Sequence, residues 1–159
     1  MIDKEIIKIA SNTENHGVLD NHTHFSKLKN SICGDEMKIY LIVKDDKITN
    51  FKYECESCIY CQASVSLLSR KAKNKSIEKV KNFAELAKKC FEKEAKSFDK
   101  EWKEFDTIMT KNNISRKKFI VLICYYNYIF QIFLNFINCV FNKFFAIKFK
   151  KEFIFTHSL

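Results

Sequence analysis

The chain has 159 residues, no proline and only two glycines, where ordinary usage would supply roughly eight and eleven. Apolar residues make up 47% and charged residues 30%, which excludes a disordered or collagenous chain and leaves a globular one. Lys, Ile, Asn, Phe and Tyr fill the gap, and all are residues with AT-rich codons. Nucleotide bias therefore accounts for the skew better than function does. The formal charge of +9 loses its force as a sign of nucleic acid for the same reason. There is no arginine-rich run and no aromatic-basic platform, so most lysines read as solvated-face residues and no nucleic-acid partner is expected. The opening MIDKEIIKIA carries Asp3 and Glu5 and no unbroken apolar core, which argues against a secretory or transit signal and predicts a cytoplasmic protein. In that reducing compartment seven cysteines, an odd number, argue against a disulfide framework and for metal or sulfur chemistry or buried thiols.

A chain of this length is expected to bury a sizeable core in one domain. EMKIYLIVK (Glu36 to Lys44) and KITNFKYEC (Lys47 to Cys55) are rich in β-branched and aromatic residues, and Asp45 and Asp46 between them predict a tight hairpin turn. The period then changes. Ala63, Leu67, Leu68 and Ala72 fall at helical spacing, and Ser76 with Glu78 opens a second helix burying Ile77, Val80, Phe83, Leu86, Ala87 and Cys90. A third helical segment is predicted from Lys93 to about Thr110, with Phe98, Trp102, Phe105 and Ile108 along one side. Strands followed by helices predict an α+β fold, a small antiparallel β-sheet with helices packed on one face.

Three cysteines recur at intervals of three in CESCIYC, Cys55 to Cys61. Cys33 lies in SICGD, just before the first hairpin strand, and Cys58 and Cys61 lie where the second strand gives way to a helix. The unsatisfied amides and positive dipole end of a helix N-terminus stabilise a thiolate, which makes Cys58 the best ligand or sulfur acceptor on physical grounds. A ferredoxin reading of the cluster needs a fourth cysteine followed by proline, and the chain has no proline. His16, His22 and His24 precede Cys33; a nitrogen ligand from one of them is conceivable, and surface histidines on a loop are the simpler reading.

Four blocks in order, NTENHG (Asn12 to Gly17), NSICGDEMKIYLIV (Asn30 to Val43), ITNFKYECESCIYCQASVSLL (Ile48 to Leu68) and the helix that follows, resemble the iron–sulfur cluster assembly scaffolds of the IscU/SufU type, which also form the N-terminal domain of NifU. The resemblance covers roughly residues 10 to 90. It implies that Cys33 and Cys58 are sulfur acceptors and two of three cluster ligands, and that Asp35 is the carboxylate that keeps a nascent cluster labile. It further implies a scaffold rather than an enzyme, with a transient iron–sulfur cluster of the 2Fe-2S kind, Zn²⁺ on the same thiolates in the cluster-free form, and a cysteine desulfurase and apo iron–sulfur proteins as partners; a homodimer also fits. The alternatives are a zinc-bound sulfurtransferase that relays persulfide without building a cluster, and a degenerate scaffold without activity. Cys61, where the family often has serine, reads either as an auxiliary thiol within reach of the site or as a buried small residue, and Cys55 as a strand-end packing residue.

Two further departures from the family pattern matter more. Ser31 stands where proline is usual. RKKFIVL (Arg116 to Leu122) fits the frame of the third ligand block but has Phe119 in the cysteine position, leaving Cys124 as a substitute only if the helix is re-registered. From Phe119 the sequence runs for 24 residues without a charge, and ten of the sixteen phenylalanines lie between there and the end. Length admits a membrane span over 119–142. Asn127, Gln131, Asn135, Asn138 and Asn142 and positive charge on both flanks argue against a span, and a frame shift shortly after Arg116 fits better than either a membrane anchor or a divergent core helix. The expected organisation is therefore a scaffold domain over 1–118 and an apolar Phe-rich tail over 119–159.

Overall fold

Asp45 and Asp46 both adopt positive φ, +47° and +58°, the left-handed pair that a two-residue hairpin turn requires to match the twist of its strands. In this computed structural model, which describes residues 3–29, 34–91 and 97–108, the turn joins two long strands. Numbered in chain order, the elements are α1 (Lys4–Ala10), β1 (His24–Lys29), β2 (Glu36–Lys44), β3 (Lys47–Glu56), α2 (Ile59–Ala72), α3 (Ile77–Phe91) and the single turn α4 (Phe105–Ile108). The sheet is an antiparallel meander in the order β1-β2-β3.

Strand alternation sends Met37, Ile39 and Leu41 of β2 and Phe51 and Tyr53 of β3 inward, all nearly inaccessible to water. Helix α2 lies over this face and is buried almost all round. Its small residues Ala63, Ser64, Ser66, Ser69 and Ala72 allow close approach on several sides, while Val65, Leu67 and Leu68 fill the core. The buried serines are satisfied: Ser64 Oγ donates to Tyr60 O at 2.8 Å, Ser66 Oγ to Asn12 O at 2.7 Å and Ser69 Oγ to Ser66 O at 2.8 Å. Helix α3 contributes Val80, Phe83, Ala84 and Ala87, with Ile77, Leu86 and Cys90 half-buried against them.

The predicted hairpin and the first two predicted helices are present. Two elements, α1 and β1, go beyond the sequence reading. Helix α1 is capped by Asp3, whose carboxylate accepts from Glu5 N at 2.9 Å, and it buries only Ile6. The predicted third helix differs from the structure. Among the described residues of that stretch, 97–99 are irregular, 100–104 form turns, and only Phe105–Ile108 are helical. Side-chain carboxylates take the backbone donors there: Asp99 Oδ1 accepts from Glu101 N and Trp102 N at 3.1 and 3.2 Å, and Asp106 Oδ1 from Phe98 N at 3.0 Å. Such bonds compete with the helical ladder. Phe98, Trp102, Phe105 and Ile108 are nonetheless all buried, because Phe83 gathers the rings: Trp102 stacks on it with centroids 4.1 Å apart, and Phe105 and Phe98 follow at 4.6 and 5.5 Å.

The boundary expected at 118, Phe119, Cys124 and the apolar run over 119–142 lie outside the described residues, as does Cys33. Among the described residues no helix is long and apolar enough to cross a membrane.

Candidate metal centre

The hairpin register opposes Glu36 to Glu56, so Asp35 stands beside the segment that leaves β3 and enters α2. Gly34 precedes it with φ +77°, a conformation that side-chain-bearing residues rarely adopt, and this aims the Asp35 carboxylate toward the helix start. Cys58 is the N-cap of α2 with extended backbone (φ −63°, ψ 159°), and Cys61 sits one turn on. Asp35 Oδ1 accepts from Cys58 N at 3.3 Å, and its Oδ2 from Cys61 Sγ at 3.5 Å. The ligand atoms of Asp35, Cys58 and Cys61 all lie within 4.8 Å of one another. Gln62 braces the corner, its Nε2 donating to Ser57 O at 2.7 Å and its backbone N to Cys58 O at 3.1 Å.

Burial divides the two thiols: Cys58 is half-buried, and Cys61 is 2% exposed. The hydrogen bond from the Cys61 thiol is the largest influence holding the Cys58 thiol at about 6, well below its ordinary 9.0. Desolvation opposes it, the amides of Cys61 and Tyr60 assist, and the Asp35 carboxylate pushes back. The Cys58 sulfur makes no capping bond of ordinary geometry, so these amides act on it as aimed dipoles. Cys61 has a single proton facing two acceptors, the Cys58 sulfur and Asp35 Oδ2, and giving it to one weakens the other.

Of the residues singled out in the sequence, the structure brings Asp35, Cys58 and Cys61 together. Cys33 and Cys124 fall outside the described residues. Cys55 is half-buried against the core with its sulfur 2.7 Å from Ser57 Oγ, apart from the three-residue cluster. None of the three histidines joins the cluster. His16 meets Tyr53 edge-on at 5.5 Å, His22 Nδ1 lies 2.7 Å from Leu19 O, and His24, at the start of β1, has Nδ1 2.8 Å from Thr23 Oγ1.

In the sequence, residues 12–17 form a block of the family resemblance and include His16 as a conceivable ligand, without a packing role for the loop. Gly17 N donates to Tyr53 O at 2.7 Å and Tyr53 N to Asn15 O at 3.1 Å, so the loop lies along β3. Buried Asn15 donates from Nδ2 to Ser69 Oγ at 3.1 Å, tying the loop to the helix that carries Cys58. The two asparagines and the glycine of NTENHG were the available signal.

A scan of protein families matches residues 1–101 to the NifU-like N-terminal domain. The iron–sulfur cluster assembly scaffold protein IscU of Thermotoga maritima is 33% identical over 89 residues, 56% of this chain and 63% of that protein. IscU 1 and IscU 2 of Archaeoglobus fulgidus are each 31% identical over 78 residues, 49% of this chain and 51% of theirs. The matched stretch thus spans between half and two thirds of these relatives' length. Among solved structures, the NifU-like N-terminal protein of Brucella abortus superposes with a TM-score of 0.74 at 18% identity, covering 82% of this chain and 90% of that one. A protein described as an iron–sulfur cluster assembly scaffold for the SUF system of Fervidobacterium islandicum AW-1 gives 0.68 at 24% identity, covering 78% and 92%. The structural likenesses show the fold, and the family match extends over more than half the sequence: the chain belongs to the family of NifU-like N-terminal domains.

Proposed function

We propose that the chain is a scaffold on which iron–sulfur clusters are assembled and from which they are handed on, with iron and sulfur as cargo. The observation that carries this reading is the convergence of two thiols and a carboxylate within 4.8 Å at the N-terminus of α2, with one thiol reachable from solvent. Soft thiolates suit iron–sulfur clusters, and a carboxylate in the same shell is a harder, more weakly held ligand that favours release.

In this reading Cys58 accepts sulfur from a cysteine desulfurase. Its thiolate attacks the outer sulfur of a persulfide on the donor, a new sulfur–sulfur bond forms, and the donor thiolate departs. Cys33, two residues before Asp35 in the sequence, supplies a further thiolate. Asp35 faces Cys58 and Cys61 and tunes how firmly the cargo is held. The protein acts as a carrier in the cytoplasm, with apo iron–sulfur proteins as recipients.

The compact set of Asp35, Cys58 and Cys61 also has the donor types of a tetrahedral zinc site, which favours, as a second reading, a zinc-bound protein that relays persulfide. Anaerobic addition of ferrous iron and sulfide to the full chain separates the two. A scaffold develops visible charge-transfer absorbance that Cys58→Ser abolishes; a colourless protein that retains zinc and still takes up persulfide supports the relay instead.

A further inference from the structure

We propose that Cys61 is a resolving thiol: it reduces a persulfide formed on Cys58, closing a Cys58–Cys61 disulfide and releasing sulfide. The inference rests on the reading of Cys58 as a sulfur acceptor. Sulfur arriving as a persulfide is at the oxidation level of elemental sulfur, whereas a cluster is built from sulfide, so two electrons must be supplied at the site. The Cys58-x-x-Cys61 pair holds two.

The geometry assigns the two thiols different tasks. Cys58 caps the helix half-exposed, where a donor can reach it, and Cys61 lies one turn on, 2% exposed, where a donor cannot. Their sulfurs lie within 4.8 Å of each other, and the Cys61 thiol donates to Asp35 Oδ2 at 3.5 Å beside them. Helical neighbours three apart have Cβ atoms about 5–6 Å apart, against about 3.5–4.5 Å in a disulfide, so closure asks the first turn of α2 to tighten by roughly an ångström or more. Cys58 itself has extended rather than helical backbone, and its carbonyl alone joins the helical ladder, accepting from Gln62 N at 3.1 Å.

Cys61 sulfur attacks the sulfur that belongs to Cys58. The Cys58–Cys61 bond forms, the bond to the outer sulfur breaks, and the outer sulfur leaves with the electron pair as HS⁻. The Cys61 proton passes to Asp35 Oδ2, its hydrogen-bond acceptor, and on to the departing sulfide. Two thiol sulfurs are oxidised to a disulfide, and one sulfane sulfur is reduced to sulfide. A dithiol reductant then restores the pair. A hydroxyl at position 61 could make the same hydrogen bonds but could not supply the electrons.

The test treats the reduced full chain, free of small thiols and oxygen, with one equivalent of cysteine persulfide. Released sulfide is measured, together with the mass of the tryptic peptide over 53–70, which carries Cys55, Cys58 and Cys61. Wild type is expected to release about one sulfide per chain and to yield a peptide lighter by two hydrogens, with the link between Cys58 and Cys61. Cys61→Ser and Cys61→Ala, with folding verified by circular dichroism, are expected to keep a peptide heavier by one sulfur and to release sulfide only at the level of Cys58→Ser. A wild-type persulfide that lasts as long as that of Cys61→Ser overturns the proposal, and so does a disulfide that forms equally without Cys61. If neither wild type nor Cys61→Ser takes up sulfur on Cys58, the sulfur-acceptor reading fails and the inference falls with it.

Discussion

At the scale of the residue, Cys58 owes its character to where the chain changes period. The sequence makes the position legible, because strand alternation ends at Cys55 and helical spacing starts by Ala63, and the thiol between them must lie near a helix start. What the spacing could not supply is the partner. Cys61 was left between an auxiliary thiol and a buried small residue, and it is both buried and within reach of the site, since a side chain on the first helical turn can face the core and still touch the cap. A group whose folded value is lowered binds fewer protons folded than unfolded. The Cys58 contribution to stability is therefore fully present above the unfolded value near 9.0, declines as pH falls, and is gone below about 6. Thiolate is the reactive form, so alkylation of Cys58 by iodoacetamide in the metal-free protein should rise with pH through a midpoint near 6. Cys61→Ala removes the largest cause of the depression and should move that midpoint upward. An unchanged midpoint would contradict the assignment of the Cys61 hydrogen bond as that cause.

At the scale of the element, the hairpin and the helices α2 and α3 follow from their hydrophobic periods, and the structure adds the reason they join as they do. The Asp45–Asp46 turn places two non-glycine residues in the left-handed region, which is strained for side-chain-bearing residues. Asp46→Gly relieves one of them and is expected to raise stability by about 0.5–1 kcal/mol, read as a higher denaturation midpoint with an unchanged slope. Helix α3 is fastened through Phe83, which touches the rings of Phe98, Trp102 and Phe105. Phe83→Ala should cost about 3–5 kcal/mol in chemical denaturation and change the Trp102 fluorescence of the folded state. A cost under about 1 kcal/mol would mean that the aromatic cluster is not the fastening. Strand β1 and helix α1 were not legible because HFSKLK shows a single clearly apolar inward residue, Leu28, and α1 buries a single side chain. The helix expected over Lys93 to Thr110 had the right apolar spacing, but Asp99 and Asp106 take its backbone donors into turns, a competition that hydrophobic period does not register.

At the scale of the whole molecule, the parts converge on one corner. The sheet register sets Asp35 beside the end of β3, the loop over 12–17 ties β3 to α2 through Asn15 and Ser69, and α2 presents Cys58 at its start. Family resemblance pointed to Asp35 and Cys58 in advance because the Cys-Gly-Asp block and the helix-start cysteine are separated by one hairpin, and antiparallel pairing closes that gap. The central claim is that this corner holds a cluster loosely enough to give it away, and the most direct measurement is the rate of transfer from the anaerobically loaded full chain to apo-ferredoxin, followed by the visible circular dichroism of the acceptor. Loaded wild type should transfer its cluster, and Asp35→Ala, with the carboxylate removed and the thiols intact, should retain it at least about tenfold longer, a difference of about 1.4 kcal/mol in barrier. Equal retention by wild type and Asp35→Ala would contradict the account, as would a cluster that neither protein gives up.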